Sequence, residues 1–324
     1  ARAGARGGRR KVLCLAHLDT VFGPGEAQAS PFRVEGDKAY GLGAADCKGG
    51  VAVSLYGLKI AKELGLIPRD LEITLIYNCD EETGSRESRG IIEAEASEAQ
   101  LALVFEPSRE DGVIAPHRRG VICGAFEAIG QCRQGFRLAQ DKSDATLAIE
   151  RIVTSMESHD DPGRGIYFHA FQSPGEGPGL ERAETEFLVT FGSQEELRYI
   201  RQTIEKIAGS VWAPQCQIRS RHEASFKLES QERGVARAMG LIKEAAGLLG
   251  LALAEEMPQG ASDANWCAFF GLPAIDSLGP NMSDIHTKQE SVSLKSMRDR
   301  TELFAMTVAL LGQGFYGADR PWEP

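Results

Sequence analysis

The sequence predicts an α/β protein in which a mixed, largely parallel sheet with helices on both faces is interrupted by an inserted ferredoxin-like α+β lid domain. Three observations predict it. Apolar β-branched runs alternate with helical patterns at both ends of the chain, the middle changes to a βαββαβ order, and acidic and imidazole side chains stand where apolar runs stop.

The runs VLCLA (12–16), EITLIYNC (72–79) and LALVFE (101–106) are apolar enough to be strands buried on both faces. Between them, residues 50–65 carry apolar positions at helical spacing and stop at Gly65 with Pro68 beyond, and 85–99 forms a polar, Glu-rich second helix. From about residue 116 the order becomes strand 121–129, helix 144–158, strand 165–170, strand 185–191, helix 194–208 and strand 215–221. SPGEGPG (173–179) is a surface loop by composition. The α/β pattern then resumes with a helix at 231–249, strands at 252–255 and 274–277, and a closing helix from Leu294. Residues 1–115 and 228–324 therefore read as one discontinuous catalytic domain, and 116–227 as the inserted lid or dimerisation domain.

At 324 residues, 42% of them hydrophobic and 25% charged, the chain is long enough to bury two cores. A net charge of −10, with both signs mixed along the chain, disfavours nucleic acid and anionic membranes, which demand a basic face. No apolar run approaches the roughly 20 residues of a membrane span. Seven cysteines without paired spacing read as reduced thiols, so the expected compartment is the cytoplasm. Because the chain begins ARAGARGGRRK without Met, a removed segment and a secreted or periplasmic location stay open.

The chemistry concentrates in His17, Asp19, Asp46, Glu81, Glu82, Glu106 and His286. Two imidazoles and three carboxylates are enough to hold two zinc ions with a water between them, leaving an orienter and a general base. The carboxyl ends of parallel strands are where an open α/β sheet builds its crevice. His17 and Asp19, two apart in extended chain, face the same side, so Asp19 can fix the tautomer of a metal-binding His17. Asp46 lies in the small-residue loop YGLGAADCKGG, which permits close backbone approach; a phosphate cradle is the competing reading, but the Lys-Ser/Thr pair of a P-loop is missing. The consecutive acids of CDEETGS tolerate their mutual repulsion at a solvated helix start or around cations. Glu106 precedes Pro107, and His286 stands in a polar loop with Asp284 and Glu290 nearby.

AHLDTV, GLGAADCKGG, DEETGS, FEPS and the series SDANW, GLP, GP, HTKQE resemble, in order and spacing, the motifs of the dizinc aminoacylase/glutamate carboxypeptidase family of metallopeptidases, of the carboxypeptidase G, acetylornithine deacetylase and succinyl-diaminopimelate desuccinylase type. The resemblance implies that His17 and Glu106 bind separate zinc ions, that Asp46 bridges both, and that Glu82 and His286 complete the set, with cobalt or manganese as substitutes. It implies Asp19 as the orienter of His17. It further implies hydrolysis of an N-acyl amino acid or short peptide by a hydroxide bridging the metals, with Glu81 as general base, and a homodimer formed through the lid.

The lid departs from the pattern. Gln134 of GQCRQGF stands where the family has a His, the strand ending VTFGS lacks the expected Asp-x-Arg, and SPGEGPG occupies the stretch that carries an Asn. Arg118, Arg119, Gln134, His169 and Gly279 are the candidate substrate contacts, with His222 a further possible compensation. The alternative function is a homologue that keeps its metals but has lost or redirected hydrolysis. The family also places a strand and helix before its first motif, which implies a missing N-terminal portion.

Overall fold

The computed structural model describes residues 2–4, 10–109, 112–130, 143–172, 182–214, 216–225, 230–258 and 260–311. Gln134 and the SPGEGPG segment fall outside them. The chain forms two compact units, one of residues 1–118, 227–258 and 262–324, the other of residues 119–226 and 259–261.

In the first unit the elements are β1 (Arg2–Gly4), β2 (Arg10–His17), α1 (Glu26–Ala29), β3 (Arg33–Glu35), β4 (Lys38–Tyr40), α2 (Gly50–Glu63), β5 (Leu71–Asn78), α3 (Arg89–Ala96), β6 (Leu101–Val104) and β7 (Val113–Ile114). The second unit contains β8 (Gly120–Gly130), α4 (Asp144–Glu157), β9 (Phe168–Gln172), β10 (Arg182–Phe191), α5 (Gln194–Ala208) and β11 (Cys216–Ser225). The chain then completes the first unit with α6 (Ser230–Leu249), β12 (Ala254–Glu255), α7 (Asp263–Phe269), β13 (Ala274–Ile275), β14 (Met282–Ser283), β15 (Ser291–Ser293) and α8 (Leu294–Leu310).

The main sheet has the order β1-β5-β2-β6-β13, parallel throughout except for antiparallel β1. Strand alternation sorts β2 onto two faces. Val12, Cys14 and Ala16 pack with Val53 and Leu58 of α2, Met239 and Ile242 of α6 and Phe304 and Val308 of α8. Leu13 and Leu15 pack on the other side with Ile92 of α3 and Ala264 and Cys267 of α7. Both faces are thus covered, as a continuous apolar strand requires.

The second unit orders its antiparallel strands β11-β8-β10-β9, which with βαββαβ connectivity is the ferredoxin-like arrangement. Its core joins Ile149 and Ile152 of α4 and Ile200 and Ile204 of α5 to Phe126 and Phe187 of the sheet. Serine caps begin both helices, Ser143 accepting from the Thr146 N–H and Ser193 from the Glu196 N–H.

Several boundaries differ from those expected. The 85–99 segment is helical only over Arg89–Ala96, because Ser85 adopts a left-handed backbone and the residues after it turn back onto Asp80. The third strand ends at Val104, so Glu106 lies just beyond it. A small sheet of order β14-β15-β4-β3 and the helix α7 had no sequence counterpart. No helix among the described residues is long and apolar enough to cross a membrane.

Gly50, at the start of α2, lets the helix sit against the strand end that carries Glu106: a Cβ there would stand 1.9 Å from the Phe105 carbonyl oxygen. Gly50→Ala is therefore expected to lose about 1–3 kcal/mol in urea unfolding, the usual cost of overpacking. Gly90→Ala, in α3 with nothing within 4 Å of the new methyl, is expected to be neutral or to gain up to about 1 kcal/mol from helix propensity.

Candidate metal centre

Five segments supply the site, three of them at the carboxyl ends of the main-sheet strands β2, β5 and β6. His17 is the last residue of β2 and Glu106 follows β6. Asp46 lies in the 44–49 turn before α2, where its φ of −111° and ψ of 93° break the helical run and separate its direction from that of its neighbours. Glu81 and Glu82 open a short 3-10 turn after β5, and His286 sits in the loop between β14 and β15 with φ +61°.

Two groups of donors result. His17, Asp46, Cys47 and Glu106 place one potential ligand atom each within 4.8 Å of one another, and so do Asp46, Glu82 and His286. Asp46 belongs to both. Its Oδ1 lies 3.0 Å from His17 Nε2 and its Oδ2 lies 3.0 Å from His286 Nε2. Glu106 Oε2 is 3.7 Å from His17 Nε2, and Glu82 Oε2 is 3.7 Å from His286 Nε2. Behind His17, Asp19 Oδ1 lies 3.2 Å from Nδ1, while Asp19 Oδ2 accepts the Glu82 N–H at 3.0 Å.

Electrostatics match a cation site. Burial raises Glu106 to about 7 against the pull of His17, and the Asp46 charge adds to the rise. Burial, followed by the charges of Glu106 and Asp263, holds Glu81 well above the usual carboxylate range. Burial also raises Glu82, with Asp46 adding to it. Burial alone would lower His17 and raise Asp46, but the bonds of His17 to Asp46 and Glu106, and of Asp46 to both imidazoles, reverse this, so His17 is raised and Asp46 lowered. Glu82 Oε1 is buried with no hydrogen-bond partner among the described residues. Crowded carboxylates, imidazole nitrogens and an orphaned carboxylate oxygen are a donor set that fits divalent cations. Cys47 is an unsuitable addition: its thiol donates to the Phe105 carbonyl oxygen at 3.0 Å, and burial pushes it further from ionisation.

A model of peptidase family M20/M25/M40 matches residues 13–310. The chain belongs to that family. Membership makes it a metallohydrolase acting on amide bonds. It is 32% identical over 319 residues to carboxypeptidase G2 of Pseudomonas sp. (strain RS-16), covering 95% of this chain and 75% of the relative. In fold it resembles a tripeptidase from Staphylococcus aureus, with TM-score 0.63, 18% identity and coverage of 96% of this chain and 83% of that one. A family metallo-carboxypeptidase from Sulfolobus solfataricus gives TM-score 0.63 at 13% identity, covering 97% and 87% respectively.

The expected substrate contacts fall in different places. Arg118 is half-buried and paired with Asp276, which also accepts the Ser262 hydroxyl. Arg119, in the second unit, is buried and donates to Glu196 at 2.9 Å and to the Arg164 carbonyl at 3.0 Å. His169 lies exposed on β9 with its ring against Tyr167, and His222 is exposed on β11. Gly279 is buried, and its N–H donates to the Glu106 carbonyl oxygen at 2.9 Å; a Cβ there would come within 2.7 Å of that oxygen. Its absent side chain thus admits the backbone that carries a donor.

Sequence reading passed over a second layer of polar residues. Asn78 donates to Asp263 at 2.8 Å and stands within hydrogen-bond distance of Ser85 and Ser88 Oγ, while Ser85 donates to Asp263. Burial raises Asp263 to about 6 even so. Together with Asp80, which accepts the Glu87 N–H at 2.7 Å and the Ser88 N–H at 3.0 Å, they fix the loop bearing Glu81 and Glu82. The SDANW motif was the available signal for Asp263.

The Arg118–Asp276 pair gives a stability test. Asp276→Ala removes the carboxylate paired with a largely buried guanidinium and the acceptor of the Ser262 hydroxyl, and is expected to lose about 3–5 kcal/mol in urea unfolding. Removing the exposed Arg33–Glu35 pair by Glu35→Ala is expected to change stability by less than about 1 kcal/mol.

Proposed function

We propose that this chain hydrolyses the amide bond of an N-acyl amino acid or short peptide beside a free carboxylate, with His17, Asp46, Glu82, Glu106 and His286 holding two zinc ions. The observation that carries this reading is the Asp46 carboxylate, whose two oxygens each stand 3.0 Å from a different imidazole. That is the disposition a carboxylate shared by two cations requires. His17 and Glu106 serve one ion, Glu82 and His286 the other. This division keeps the bridging Asp46 of the motif resemblance but differs from it in placing His17 and Glu106 on one ion, because Glu106 Oε2 stands 3.7 Å from His17 Nε2. When bound, the two ions lower the pKa of a shared water from about 16 toward about 7 and polarise the substrate carbonyl.

The chain's own groups do the rest. Asp19, whose Oδ1 stands 3.2 Å from His17 Nδ1, would take the Nδ1 proton and leave the Nε2 lone pair for a metal. Glu81, held above the ordinary carboxylate range by burial and by its acidic neighbours, accepts the proton of the attacking water and returns it to the leaving amine nitrogen. The amide C–N bond breaks and a carboxylate and an amine leave. In this reading the unit of residues 119–226 serves as lid and dimerisation element. The buried thiols Cys14, Cys47 and Cys267 fit a reducing compartment such as the cytoplasm.

The test combines metal content with a panel of acyl amino acids and dipeptides, assayed with added zinc, cobalt or manganese. Two ions per chain are expected by elemental analysis, with cleavage that a chelator abolishes. Glu81→Gln is expected to keep both ions while turnover falls about 10²–10⁴-fold, the range for a lost general base. Unimpaired turnover would remove Glu81 from its role. Two bound ions without cleavage of any panel member would favour the homologue with redirected chemistry.

A further inference from the structure

The carboxylate of Glu290 is 1% exposed, yet it meets no basic side chain among the described residues. It meets the backbone of the loop that carries Asp46 instead. Oε2 accepts the Gly43 N–H at 3.0 Å, and Oε1 accepts the Ala45 N–H at 2.8 Å and the Asp46 N–H at 3.0 Å. The Glu290 carbonyl oxygen accepts a fourth bond, from the Gly41 N–H at 3.1 Å. Directly beyond, Ser291 of β15 pairs with Tyr40 of β4, so the ladder ends where the clamp begins.

Three amides converging on one buried anion form a nest, which stabilises its charge without a counter-ion. The nest also fixes the backbone that forms it. Gly43 takes φ +72° and Asp46 leaves the helical region, and these are the two ends of the segment that Glu290 spans. Asp46 must keep each of its oxygens toward a different imidazole, so a small rotation of its backbone moves both contacts at once. His286 lies four residues before Glu290, which puts one donor of the second group and the clamp on the bridging carboxylate in one short loop.

We infer that Glu290 is a positioning residue of the metal centre: through the Gly43, Ala45 and Asp46 amides it holds Asp46 where one carboxylate serves both donor groups. The inference rests on the proposed two-ion reading and touches neither ion nor substrate. Glu290→Gln is the sparing variant. Its amide oxygen retains the Ala45 and Asp46 bonds, while its NH₂ meets the Gly43 N–H, donor against donor. Glu290→Ala removes all three acceptors.

The experiment measures zinc affinity by chelator competition and the visible absorption spectrum of the cobalt-substituted chain, beside amide exchange of the metal-free chain. Both variants are expected to weaken zinc binding about 10–100-fold, the usual cost of losing an outer partner of a ligand. The cobalt spectrum is expected to change, and exchange at Gly43 and Asp46 to speed up. A residue with a purely structural role would lower thermal stability and leave the cobalt spectrum of the folded chain unaltered. Wild-type affinity and an unaltered spectrum in Glu290→Gln overturn the inference, and that variant decides the matter if Glu290→Ala does not fold. The wild-type chain, titrated alongside, separates the two readings: if it binds no zinc, the metal-site reading itself fails.

Discussion

Gathering Asp46, Glu81, Glu82 and Glu106 in one cluster sets like charges against each other where two of the four are buried and two half-buried. Asp46 and Glu106 are 8% and 6% exposed. Neither desolvation nor repulsion favours such a group, and both show in the upward displacement of Glu81, Glu82 and Glu106. Two imidazoles offset part of this, and divalent cations would offset far more. The surrounding structure can be understood as what holds these side chains together in spite of their mutual repulsion.

It does so with backbone as much as with side chains. The acidic loop after β5 is tied by Asp80 to the Glu87 and Ser88 amides and by Asp263 to Asn78 and Ser85. Gly50 and Gly279 both approach the strand end before Glu106, each so close to the Phe105 carbonyl oxygen that a side chain would collide with it. The loop bearing Glu81 and Glu82 and the strand end bearing Glu106 are thus held by contacts outside the acidic cluster.

Much of this was legible in the sequence. The alternation of apolar runs and helices gave the main sheet, the βαββαβ order gave the second unit, and acidic residues at the ends of apolar runs pointed to the site. What escaped notice has a common physical character. The strands β3, β4, β14 and β15 are two or three residues long, too short for a period-two pattern to register. The pairing of Arg118 with Asp276 spans 158 positions, and the Glu290 clamp acts on main-chain amides that leave no trace in residue type. Gly279 makes room for the backbone at Glu106, a close approach that no local residue pattern announces. Sequence pattern reports local periodicity and side-chain chemistry; it is silent on which distant backbone a side chain will meet.

The two donor groups are joined twice, and this shapes how the site must respond to change. Asp46 links them directly, with an oxygen toward each imidazole. Asp19 links them from behind, since its two oxygens address His17 Nδ1 at 3.2 Å and the Glu82 N–H at 3.0 Å. His17, Asp46, His286, Glu82 and Asp19 therefore form a closed circuit in which moving any member displaces two others. Residues coupled in this way do not act additively. One donor group cannot be rebuilt without disturbing the other, because the same two aspartates define both. On the two-ion reading proposed above, the loop system that places the donors of one group also places those of the other.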